Sequence, residues 1–268
     1  MNNTFGFIGT DNMGGALARA AVKVMGPEAV FLANKTAAKA EALAAELGCS
    51  AGSNEAAAQC GYVFLGVKPQ MMQDLLTELA PVLAARTDDF VLVSMAAGLT
   101  MADIRRMAGG SYPVIRIMPN TPVAVGRGVI TYDATENVSE AVLQQFLGNL
   151  SQAGLLDRLP EHLIDAGSAV AGCGPAFAAM FLEALADGGV ACGLPRAKAM
   201  AYAAQMLLGT AQLALESGQH PGQMKDAVCS PGGSTIAGVR ALEQNGFRSG
   251  VTEAVCAAFT RNRELGKS

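Results

Sequence analysis

The feature that most constrains this chain is a rhythm in its N-terminal half. Short, largely apolar runs alternate with stretches of helical pattern. The runs Thr4–Ile8, Val30–Ala33, Tyr62–Val67, Phe90–Ser94 and Val114–Met118 read as strands. Met13–Val24, Thr36–Leu47, Gln70–Leu83 and Thr100–Met107 read as the helices between them. A strand exposed on one face alternates apolar and polar residues; these do not. Both of their faces must be covered, and crossover helices do that, which predicts an α/β fold with a doubly wound parallel sheet. Gly128–Tyr132 and Leu155–Arg158 read as added edge strands around a helix at Ser139–Gln152. After Leu159 the strand pattern stops, and Ala-rich helix follows, broken by glycine–proline turns. The expected division is therefore 1–158 for a dinucleotide-binding sheet domain and 159–268 for an all-α domain.

Composition narrows the partners. Apolar residues make up 51% of the chain, and the mean hydropathy is +0.29. The uncharged runs Ala166–Leu182 and Ala199–Leu215 hold 17 residues each, short of the roughly 20 that a membrane-spanning helix needs. They read as buried helices, and the surplus apolar surface implies a large interface between subunits. The net charge of −4 gives no reason to expect nucleic acid or an anionic membrane. The start, Met1-Asn2-Asn3-Thr4, runs straight into the first strand without a secretory leader, so a cytoplasmic location is expected. Six scattered cysteines and two histidines offer no metal-ligand spacing, and no metal is expected.

The first strand opens into Gly9-Thr10-Asp11-Asn12-Met13-Gly14 and then a helix. In the pattern G-x-G-x-x-G the glycines let backbone amides at a helix N-terminus approach a pyrophosphate. Asp11 stands at the middle glycine, where a carboxylate repels phosphate and fills space. A plain strand–turn–helix accounts for the same residues. The second strand ends in Ala33-Asn34-Lys35-Thr36, without the acidic residue that holds a ribose 2′-hydroxyl in NAD enzymes. Asn34, Lys35 and Thr36 suit a 2′-phosphate, hence NADPH, with NADH as the lesser reading; a solvated helix start is the bland one. Gly66-Val67-Lys68-Pro69 and Ser94-Met95-Ala96-Ala97-Gly98 follow other strands at the sheet edge where ligands bind, although tight turn packing explains them equally well.

In the second half, Cys229-Ser230-Pro231-Gly232-Gly233-Ser234-Thr235-Ile236 is a glycine turn feeding a helix. Free amides and the helix dipole there make a carboxylate site without a basic residue. The competing account is a helix capped by Ser234 or Thr235. Arg116 to Pro122, with its two prolines, reads as a rigid turn at a strand end.

Together these segments resemble the pyrroline-5-carboxylate reductase family over nearly the whole chain. The resemblance rests on Phe7-Ile8-Gly9 with Asn12-Met13-Gly14, on Val67-Lys68-Pro69 and on Met118-Pro119-Asn120-Thr121-Pro122. It rests most on Gly172-x-Gly174-Pro175-Ala176, on Ala186-Asp187-Gly188-Gly189-Val190 with Gly193-Leu194-Pro195-Arg196, and on Ser230 to Ile236. It implies a Rossmann-type N-terminal domain and a C-terminal helical dimerisation domain, with homodimers that assemble further and an active site completed by both domains and a partner subunit. It implies reduction of 1-pyrroline-5-carboxylate to L-proline by hydride from NADPH. By the same resemblance Gly9 to Gly14 hold the pyrophosphate, and Asn34, Lys35 and Thr36 meet the adenosine phosphate. Asn54 meets the ribose; Val67, Lys68, Pro69, Ala96 and Ala97 line the nicotinamide side. Gly232, Gly233 and Ser234 bind the substrate carboxylate, Thr235 faces the ring nitrogen, and Glu161 lies near the substrate. Asp11, Cys173 for a usual serine, and Ala227 for a frequent asparagine depart from the family pattern.

An iminium carbon accepts hydride readily, which explains how such an enzyme manages without an evident catalytic His or Lys. Two alternatives remain. β-Hydroxyacid dehydrogenases share the plan but carry a catalytic lysine on the first long helix after the boundary, and Gly172–Leu182 has none. A non-catalytic homologue impaired by Asp11 is the other.

Overall fold

The computed structural model describes residues 1–265. Eight strands form one sheet: β1 (Phe5–Ile8), β2 (Val30–Ala33), β3 (Ser50–Gly52), β4 (Tyr62–Leu65), β5 (Val91–Ser94), β6 (Val114–Pro119), β7 (Gly128–Ala134) and β8 (Gly154–Arg158). Their spatial order is β3-β2-β1-β4-β5-β6-β7-β8, and every neighbouring pair is parallel except β6 with β7. The helices of this half are α1 (Asn12–Met25), α2 (Ala37–Leu47), α3 (Asn54–Ala57), α4 (Met72–Ala85), α5 (Met101–Ala108), α6 (Glu140–Asn149) and α7 (Glu161–Gly167). The chain leaves β1 to build one side of the sheet, then returns to build the other from β4. The point of reversal therefore falls between β1 and β4, the position at which open α/β sheets bind ligands.

Burial explains the wholly apolar runs. Phe5, Phe7, Tyr62 and Phe64 point to one face and pack on Phe146 of α6, with Phe7 stacked on Phe64 at 4.2 Å between ring centroids. Ile8, Val63, Leu65 and Leu92 point to the other, under Met72, Leu76, Leu79 and Leu83 of α4 and Ile104 of α5. Gly6 lies on that second face, and a Cβ there would stand 2.1 Å from the Ala57 carbonyl oxygen, so α3 rests directly on the β1 backbone. A capping box of Thr100 and Asp103 starts α5. The sequence reading missed β3 and α3. Ser50-Ala51-Gly52 is too short and too polar to register as an apolar run, and α3 is a single turn.

Packing divides the chain later than the sequence pattern does. One unit is Met1–Cys173 with the described residues from Ala258 to Leu265, and the other is Gly174–Ala257. Polar bonds to the sheet keep the segment after Leu159 with the first unit. Arg116 of β6 pairs with Asp165 at 2.7 Å, the Glu161 amide donates to Asp133, and the Asn120 side chain donates to the Ala171 carbonyl oxygen. The turn Ser168–Gly172 is π-helical and closes this unit.

The second unit contains α8 (Gly174–Ala191), α9 (Arg196–Ser217), α10 (Pro221–Ala227), α11 (Ser234–Gln244) and the first part of α12 (Phe247–Leu265). Within the single chain these helices are not buried. In α8 and α9 only Ala186, Ala199 and Ala203 are buried, while Met180 is 70% and Leu215 85% exposed. One chain does not cover these helices; their apolar faces point outward. The run Glu161–Ala191 is long and apolar enough to cross a membrane, yet it carries Asp165, ion-paired to the buried Arg116.

Truncating the aromatic cluster tests the core. Phe64→Ala is expected to lower unfolding stability by about 3–5 kcal/mol in denaturant titration, and a loss under about 1 kcal/mol contradicts the packing described.

Candidate functional site

Parallel pairing in register brings four strand ends level. Ile8 pairs with Ala33 and with Leu65, and Leu65 with Ser94. The segments beginning at Gly9, Asn34, Gly66 and Met95 therefore leave the sheet side by side at one edge. The Gly9 amide donates to Ala33 O at 2.9 Å and the Gly66 amide to Ile8 O at 2.7 Å. Gly9 has φ +101°, and a Cβ on it would meet the Gly66 carbonyl oxygen at 2.5 Å. A Cβ on Gly14 would lie 2.0 Å from the Gly9 carbonyl oxygen. The glycines let α1 start tight against the turn after β1.

The first amides of α1 have no partner in the helix, and no side chain caps them. This fits a pyrophosphate: amides free of helix partners, a positive helix end, and no bulk at Gly9 or Gly14. Asp11, which reads from the sequence as a defect in the cradle, is the N-cap residue of α1. Its φ of −67° is ordinary for an L-residue. Its carboxylate turns to Lys39 Nζ of α2 at 2.6 Å, and both side chains are more than half exposed. That hydrogen bond holds the Asp11 carboxyl below the usual carboxylate range. Sequence reading missed Lys39, because nothing local relates two residues 28 positions apart.

Asn34 is fixed at both ends. Its Nδ2 donates to Thr10 Oγ1 at 3.0 Å, and its Oδ1 accepts from the Thr36 amide at 3.1 Å. It shapes the end of β2, while Lys35 and Thr36 stay exposed beside an α2 N-terminus with no side-chain cap and no acidic residue in its first turn. Asn54 begins α3 and donates to Glu78 of α4 at 3.3 Å. Val67, Lys68 and Pro69 follow β4, with Lys68 exposed. Ala96 is buried, Ala97 is half-buried, and both follow β5.

Glu161 accepts from the Met101 amide at 2.6 Å, at the start of α5, and lies 3.6 Å from Arg116 Nη1. Arg116 is 2% exposed. It and its two carboxylates tie α7 and α5 to β6.

In the second unit, Gly232 has φ +69°, and the Gly233 amide closes a turn on Ser230 O at 3.0 Å. Gly233 is the N-cap of α11 and supplies no side chain, so the capped-helix account with Ser234 or Thr235 as cap does not hold. The amides of Ser234, Thr235 and Ile236 precede the first helical bond, which Ala237 makes to Gly233 O. Ser234 and Thr235 are exposed, and the first turn of α11 has no acidic residue. Such an end has the free amides and positive dipole that suit an anion. Among the described residues no group of His, Cys, Asp and Glu is placed to hold a metal.

Two family models match the chain. The one described as pyrroline-5-carboxylate reductase dimerisation matches residues 161–265, and the one described as NADP oxidoreductase coenzyme F420-dependent matches residues 4–98. The pyrroline-5-carboxylate reductase of Synechocystis is 40% identical over 275 residues, covering 100% of both chains. That of Escherichia coli is 36% identical over 273 residues, again covering 100% of both. Among solved structures, a Plasmodium falciparum pyrroline carboxylate reductase with NADP bound aligns at TM-score 0.89 and 30% identity, covering 99% of this chain and 98% of that one.

The glycine contact at the sheet edge is testable in isolation. Gly14→Ala forces α1 away from the Gly9 carbonyl and is expected to lower stability by about 1–3 kcal/mol in thermal or chemical unfolding. An unchanged midpoint contradicts the close approach.

Proposed function

The chain belongs to the pyrroline-5-carboxylate reductase family, and from that premise we propose how its residues carry out the reduction of 1-pyrroline-5-carboxylate to proline. The observation that carries the activity is the full-length match to reductases of that name at 36–40% identity. A bound nicotinamide dinucleotide would supply the hydride to the C=N carbon of the cyclic imine, C2 of the pyrroline ring, which becomes C5 of proline.

The protein's part is binding and orientation. Gly9, Thr10, Asn12, Met13 and Gly14 would cradle the pyrophosphate on the α1 amides, with Asp11 turned aside onto Lys39. Asn54 would exchange its bond to Glu78 for a ribose hydroxyl. Val67, Lys68 and Pro69, with Ala96 and Ala97, would line the nicotinamide side. NADPH over NADH is favoured by the absence of an acidic residue in Ala33–Thr36, by Lys35 there and by Lys39 in the first turn of α2. The NADP in the Plasmodium relative supports the same choice.

The amides of Gly232, Gly233 and Ser234 would hold the substrate carboxylate at the uncapped start of α11. Thr235 would set its hydroxyl against the ring nitrogen. An ordinary hydroxyl is a poor acid near neutral pH, so Thr235 orients a substrate that arrives as the iminium. Glu161, held by Met101 and Arg116, would act through the placing of α5 and the Ser94–Gly98 turn before it. Asp11 no longer favours a non-catalytic reading, and the lack of lysine in Gly172–Leu182 disfavours a β-hydroxyacid dehydrogenase.

The outward apolar faces of α8 and α9 and the dimerisation match support a homodimer through this unit. Light scattering after gel filtration is expected to give twice the chain mass or a higher multiple; a monomer at micromolar concentration contradicts it.

NADPH oxidation with 1-pyrroline-5-carboxylate tests the catalytic assignment. Thr235→Ala is expected to lower kcat about tenfold or more, the cost of one hydrogen bond lost at the reacting ring, with the circular dichroism spectrum unchanged. Thr235→Ser should retain most of the rate, and full activity in Thr235→Ala refutes the role.

A further inference from the structure

Asp11 is the chain's main departure from the dinucleotide pattern, and its partner is not a random surface lysine. Lys39 lies in the first turn of α2, whose N-terminus adjoins Asn34, Lys35 and Thr36. A second bond, from Asn34 to Thr10, joins the same two segments beneath the pair. An anion of the pyrophosphate loop thus holds a cation of the adenosine-phosphate end.

The geometry points to Lys39 as a shared cation: Asp11 holds it in the free protein, a 2′-phosphate draws it away, and Asp11 thereby sets how strongly this chain discriminates NADPH from NADH. The inference rests on the reading that Asn34, Lys35 and Thr36 meet the 2′-phosphate. The exchange is accessible because the pair is weak. The Lys39 and Asp11 side chains are 57% and 68% exposed, and such a pair is screened by solvent. A phosphate carries close to two charges near neutral pH against the single charge of the carboxylate. Because Lys39 holds the Asp11 carboxyl below its usual range, Asp11 stays ionised near neutral pH and competes by charge, not by titration.

Asp11 has two ways to affect binding. Direct repulsion of the pyrophosphate weakens NADPH and NADH alike. Withholding Lys39 weakens only NADPH. Calorimetric dissociation constants for NADPH and NADH, on the unmodified protein, Asp11→Asn, Lys39→Met and the double variant, separate them. Asp11→Asn is expected to tighten NADPH about threefold to fivefold, the factor associated with an exposed ion pair, and to leave NADH within about twofold. Lys39→Met is expected to weaken NADPH selectively, and the double variant to match Lys39→Met alone.

An equal gain for both cofactors in Asp11→Asn, or a gain that persists without Lys39, overturns the proposal in favour of direct repulsion. If the unmodified protein prefers NADPH and no variant alters the ratio, the proposal fails and the NADPH reading stands. If neither the unmodified protein nor Asp11→Asn distinguishes the cofactors, both fall.

Discussion

The structure depends on a place where two backbones approach with no room for a side chain. Gly9 and Gly66 lie against each other at the ends of β1 and β4, and Gly14 brings α1 down onto the Gly9 carbonyl. This is where the order of strands reverses, so the crevice that a doubly wound sheet opens there is lined by backbone. Among the described residues no side chain caps the first amides of α1. The aromatic packing of Phe5, Phe7, Phe64 and Phe146 below holds the two strands at that spacing.

Charge is handled differently at the two depths of the first unit. Arg116 is fully buried and paired with Asp165 and Glu161; removing a partner from such a cluster leaves a desolvated charge, so it acts as a fixed tie between β6, α5 and α7. Asp11 and Lys39 are exposed, so their pair is exchangeable. The first arrangement suits a frame and the second a group that responds to a ligand. In the second unit, α11 has neither cap nor acidic residue in its first turn, which leaves its end open for an anion.

Much of this was legible in the sequence, for physical reasons. Strands covered on both faces must be apolar throughout, so β1, β2, β4, β5 and β6 were readable. Glycine turns at strand ends announced the edge. Ser50–Gly52 and the single turn of α3 carry no periodic pattern and were missed. The Ala-rich helices were read as buried because composition reports that apolar surface must be covered, not which chain covers it. Asp11 read as a defect because its remedy, Lys39, comes from another helix. The bonds of Asn34 to Thr10 and to the Thr36 amide are a matter of geometry that the sequence does not show.

The central claim is hydride transfer to the ring carbon of 1-pyrroline-5-carboxylate. Reaction with NADPH deuterated at C4 of the nicotinamide, each face in turn, followed by mass spectrometry and NMR of the product, tests it most directly. The account predicts proline with a single deuterium at C5 from one of the two labelled cofactors. Unlabelled proline from both, or no proline at all, would contradict it.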